Sequence, residues 1–125
     1  MPKKTEGWLV EEQARAELLA RFPPRYEHTI AEHVTFKPDK AEMPQVDHCM
    51  LVGRADDGKG VEALVVALDG STDRPDGLTW HITWSLAEDR RAKESNEVIA
   101  ELGWDPIEGE TRIPLVAGWW VWSDP

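Results

Sequence analysis

The chain has 125 residues and a formal charge of −10, from 24 acidic against 14 basic side chains. At 41% hydrophobic and 30% charged residues, it is long enough to bury a core without staples, and its length predicts one domain over residues 1–125. The acidity excludes general affinity for extended nucleic acids, which rests on neutralising phosphates with Lys and Arg, so any phosphate recognition has to be local.

In chain order, Met1 to Gly7 contains no signal-peptide core. The first periodic segment is Glu11 to Arg21, with Trp8, Glu11, Arg15, Leu18, Leu19 and Phe22 on one helical face and Pro23-Pro24 as its stop. Arg15 interrupts that apolar stripe. Either its stem covers the edge of the core, or its guanidinium belongs to a substrate site. His33 to Phe36 reads as a short strand closed by Lys37-Pro38-Asp39. Asp47 to Ala55 and Gly60 to Leu68 flank Asp56-Asp57-Gly58-Lys59 and predict a hairpin. Cys49, the single cysteine, lies in its first strand; it excludes an internal disulfide framework and fits a reducing compartment.

Leu78 to Leu86 is the cleanest alternating strand. A second helix is expected from about Ala92 to Leu102, stopped by Gly103. Ile107 and the stretch Ile113 to Trp122, around Glu108-Gly109-Glu110, predict a final hairpin. The sum is an α+β fold, a mostly antiparallel sheet with two helices against one side. Of the seven tryptophans, most are expected in the core; one or two of Trp119, Trp120 and Trp122 are candidates for a wall on which a base stacks. No apolar run approaches the ~20 residues of a membrane span, and the expected location is the cytoplasm.

Two histidines are each followed two residues later by threonine: His33-Val34-Thr35 and His81-Ile82-Thr83. In a strand, residues i and i+2 share a face, so each tripeptide presents an imidazole and a hydroxyl together. Val34 with Phe36, and Ile82 with Trp84, go to the other side, which is apolar in both copies and therefore the core. Two imidazoles on either side of one phosphorus supply the base that activates the attacking oxygen and the acid that protonates the leaving one. Threonine hydroxyls can donate to the non-bridging oxygens. The chemistry calls for no metal or other cofactor. His28, Asp47, His48 and Cys49 match no compact zinc spacing, and His48 and Cys49 alternate sides in a strand.

At these residues the chain resembles the two-histidine (2H) phosphoesterase superfamily, whose signature is a pair of His-x-Thr/Ser motifs on strands lining a cleft. Leu18-Leu19, Phe22-Pro23-Pro24 and His33-Val34-Thr35-Phe36 are similar to the approach to the first motif in tRNA-ligase-like members. His81-Ile82-Thr83-Trp84 followed by Lys93-Glu94-Ser95-Asn96 is similar to the second. The resemblance covers roughly residues 9 to 103. It implies His33 and His81 as the catalytic pair and Thr35 and Thr83 as phosphate ligands; Lys93, Ser95 and Arg15 are further candidate substrate contacts. It also implies hydrolysis of a 2′,3′-cyclic phosphate on a nucleotide or short RNA end, often to the 2′-phosphate. Other readings keep the same residues: a cyclic di- or oligonucleotide or an ADP-ribose cyclic phosphate as substrate, or a nucleotide-binding module without catalysis. Lys93, Ser95 and Asn96 have a structural alternative as the cap of the second helix.

Overall fold

A computed structural model describes residues 3–36 and 44–122, without the side chains of 3–5 and 119–122. In chain order the elements are β1 (Lys3–Val10), α1 (Glu12–Arg21), β2 (His28–Thr29), β3 (His33–Thr35), β4 (Cys49–Asp56), β5 (Val61–Leu68), β6 (His81–Leu86), α2 (Glu94–Leu102), β7 (Asp105–Pro106) and β8 (Leu115–Trp122). Among the described residues the strands form one sheet in the order β7-β4-β5-β6-β3-β1-β8, with β2 also paired to β6. Every pairing is antiparallel. The fold is therefore α+β, as the sequence predicts.

The sheet separates two apolar layers, because alternate residues of β5 and β6 point to opposite sides. Leu64, Val66, Trp80, Ile82 and Trp84 join Trp8, Val34 and Phe36 beneath Ala14 and Leu18 of α1. Val61, Ala63, Val65 and Leu86 pack with Val98 and Ile99 of α2. The two helices thus lie on opposite faces, not on one side as expected. The reason is that β5 is buried on both faces along its whole length, so each face needs its own cover.

Two other expectations change. Trp8 does not belong to the helical face. Trp8 and Val10 are buried while Leu9 is exposed, the period-two pattern of β1, which runs between β3 and β8. The tail is not a hairpin. Its β7 pairs with β4, whereas β8 pairs with β1. Between them the Leu51 amide donates to the Thr111 carbonyl and the Ile113 amide to that of Cys49, so this stretch follows β4 before Leu115 joins β1. The hairpin at 49–68 forms as expected, with a bulge between Leu51 and Gly53. Gly103, at φ 71°, ends α2. The expected closure at Lys37-Pro38-Asp39 lies outside the described residues.

Candidate functional site

Val34 pairs with Ile82 in the antiparallel β3–β6 ladder. That register sets His33 opposite Thr83 and Thr35 opposite His81, all four on the face away from Val34 and Ile82. An antiparallel pair has a local two-fold axis normal to the sheet, so the two His-x-Thr tripeptides are related by rotation about a point between Val34 and Ile82. The imidazoles occupy opposite corners of a four-residue block, with diagonal spacing of ~7–8 Å between backbones.

The arrival of β3 at this register depends on an irregularity. Thr29 pairs with Ser85 and Val34 with Ile82, so five residue steps on one strand face three on the other. The surplus is taken up around Ala31, which is buried and has φ 48°. Arg15 holds this kink: its Nε donates to the Ala31 carbonyl at 2.8 Å and its Nη2 to that of Ile30 at 3.0 Å. Arg15 therefore sits on α1, across the sheet from the four-residue block, and is not brought together with it. Its polar head positions the strand that carries the first motif.

The two histidines have different surroundings. His81 is buried, and its Nδ1 is 2.8 Å from the Thr79 carbonyl. A carbonyl only accepts, so Nδ1 carries hydrogen and Nε2 is the acceptor nitrogen of the neutral ring. His33 is half-buried. Burial, and secondarily the nearby His81, hold its pKa down at about 4, which keeps it neutral at physiological pH.

The threonines also differ. Thr83 Oγ1 lies 2.9 Å from Ser95 Oγ and 3.3 Å from the Ala92 carbonyl, so it fastens the start of α2 to the sheet. Ser95 is completely buried behind it. Lys93 is exposed at the helix N-cap position, where Asn96 Nδ2 donates to its carbonyl. The amides of Glu94, Ser95 and Asn96 already donate to the carbonyls of 91–93, so the first turn of α2 offers few donors to an anion.

Arg74 was not indicated by the sequence. Its side chain is 1% exposed and makes a two-pronged contact with Asp76. It also donates to the Thr35 carbonyl at 3.4 Å and Asn96 Oδ1 at 3.1 Å. It ties the 72–79 turn to β3 and α2 at the Thr35 end of the block. The only sequence signal was an arginine set in an Asp-Arg-Pro-Asp-Gly turn.

Among the described residues no group of His, Cys, Asp or Glu is arranged to hold a metal ion. A cavity of about 370 Å³ between α1 and residues 111–114 contains none of the four block residues. No helix among the described residues is long and apolar enough to cross a membrane. Comparison with protein-family models, curated proteins and solved structures finds no match for this chain.

Proposed function

We propose that the chain is a metal-independent phosphodiesterase of the two-histidine type, hydrolysing 2′,3′-cyclic phosphates of nucleotides or short RNA ends to phosphomonoesters. The observation that carries the reading is the Val34–Ile82 register. It relates two His-x-Thr motifs by a local two-fold, the symmetry of an in-line displacement with one proton donor and one acceptor on either side of phosphorus.

The roles follow from the unequal surroundings. His33, kept neutral, takes a proton from the attacking water as the new O–P bond forms. His81 enters the step as the imidazolium, its Nδ1–H held by the Thr79 carbonyl, and gives its Nε2 proton to the ribose oxygen as the P–O bond breaks, ending as the neutral ring. Solvent exchange returns each ring to its starting state. Thr35 is the hydroxyl available to a non-bridging oxygen. Thr83 contributes by donating once Ser95 takes over as donor to it, or by fixing α2. The resemblance implies the 2′-phosphate as product. The net charge of −10 favours a small nucleotide over a long polyanion.

Phosphorus NMR with EDTA present tests this directly. The four nucleoside 2′,3′-cyclic monophosphates and a cyclic dinucleotide panel are offered to the protein and to His81→Ala. A new phosphomonoester signal that the substitution abolishes supports the reading. Nucleotide binding by both proteins with turnover by neither identifies a binding module instead, and activity that EDTA removes excludes the metal-independent mechanism.

A further inference from the structure

On the block's face α2 covers β4 and β5, through Ala55, Ala63, Val65, Val98 and Ile99. Beyond β3 the register continues onto β1 and β8. Leu9 adjoins His33 and pairs with Val116, while Gly7 adjoins Thr35 and pairs with Gly118. Leu9 and Val116 are 37% and 56% exposed, two large apolar side chains side by side in the sheet. Strands lie ~4.8 Å apart, so this strip begins one strand spacing from the block.

The facing glycines have no backbone explanation. Neither has positive φ, and the β1–β8 ladder runs through them without a shift in register. Packing does not require one at 118 either, because among the described residues a Cβ there would meet only Leu9 Cδ1, at 3.6 Å, an ordinary contact. Glycine weakens a strand, and where no bulge or bend requires it, it marks a place that something approaches closely. Gly7 is buried and Gly118 half-buried, so the accessible part of the row is at Gly118, flanked by Leu9 and Val116.

We infer that this strip of β1 and β8 seats the nucleobase of the substrate, with the phosphate on the four block residues and the ribose spanning β3 and β1. The inference rests on the proposed cyclic-phosphate chemistry and adds where the nucleoside lies. It makes the site nucleoside-directed while leaving base identity weakly read, because an apolar shelf stacks any base.

The test compares adenosine 2′,3′-cyclic phosphate with the base-free methyl riboside 2,3-cyclic phosphate, using wild type, Gly118→Val and Val116→Thr, each checked for unchanged thermal melting. The inference expects Gly118→Val to raise KM for the nucleotide about tenfold or more, with kcat held within about threefold, as loss of a stacked base requires. The base-free substrate should be unaffected, and Val116→Thr should act in the same direction more weakly. Equal effects on both substrates, or none on either, overturn the shelf while leaving the chemistry standing. If wild type turns over neither substrate, the chemistry fails and the shelf is judged by binding. Saturable shifts of the Leu9 and Val116 methyl signals on titration with adenosine 2′-monophosphate, lost in Gly118→Val, uphold it; unmoved methyl signals overturn it.

Discussion

His33 and Cys49 are both pushed towards their neutral forms, and burial is the main cause in each. For His33 the folded pKa of about 4 lies below the ordinary 6.5, so the unfolded chain binds more protons at this site between those values. Stability from this group is therefore fully present above pH 6.5 and is lost as pH falls towards 4, by up to about 3 kcal/mol at 1.4 kcal/mol per pKa unit. Urea unfolding of wild type and His33→Ala across that window should show a shallower pH dependence for the variant. The Cys49 thiol is pushed up to about 12 and is buried, so it lacks the thiolate that reagents attack. Ellman's reagent should leave it unmodified in the native protein and react fully after denaturation. Glu62 is completely buried; its carboxyl accepts from Ser85 Oγ at 2.6 Å and is paired with Arg54. Removing its charge as Glu62→Gln leaves Arg54 without its counter-ion, and chemical denaturation should register a loss of about 3 kcal/mol or more.

At the scale of elements, the kink at Ala31 connects α1 to the candidate site. Arg15→Gln removes two charge-assisted bonds to carbonyls and should destabilise by about 2–4 kcal/mol. Its amide protons at residues 30–34 should exchange faster than those of β5. If exchange in β3 is unchanged, Arg15 has no part in positioning the first motif. This coupling also explains what the sequence left hidden. The His-x-Thr alternation and the 49–68 hairpin are local patterns, and both were readable. That β3 would pair with β6 at the Val34–Ile82 register depends on two residues of slack around Ala31 and on an arginine from a distant helix. Trp8 misled because an i, i+3 spacing to Glu11 continued into a real helix, whereas its partner strands β3 and β8 lie far along the chain. The opposite placement of the helices followed from β5 being apolar on both faces, a pattern that resembles a hydrophobic run until both covers are known. Arg74 could not be recognised because its partners, Thr35 and Asn96, are brought near only by folding.

For the whole molecule, one face of the sheet is closed by the core under α1 and the other carries the candidate site. The α1 face is closed by the aromatic group of Trp8, Phe36 and Trp80, with Trp8 and Trp80 ring centres 5.4 Å apart edge to face. The opposite face is covered by α2 over β4 and β5; beside the β1–β8 strip it holds the block, with His33 and Thr35 half-buried and His81 and Thr83 buried. With a net charge of −10, the proposed function predicts that long RNA binds too weakly to compete with a nucleotide substrate. Added poly(U) should leave the rate on a cyclic mononucleotide unchanged at physiological salt.

The pairing of His33 with His81 as one catalytic unit is the central claim, and kcat/KM in a double-substitution cycle addresses it most directly. For a nucleoside 2′,3′-cyclic phosphate, His33→Ala and His81→Ala should each lower kcat/KM by about a thousandfold or more. The double variant should be little worse than either single variant, because a displacement that has lost its base or its acid has already lost the concerted step. Full activity in the doubly substituted, folded protein would contradict the assignment of the site altogether.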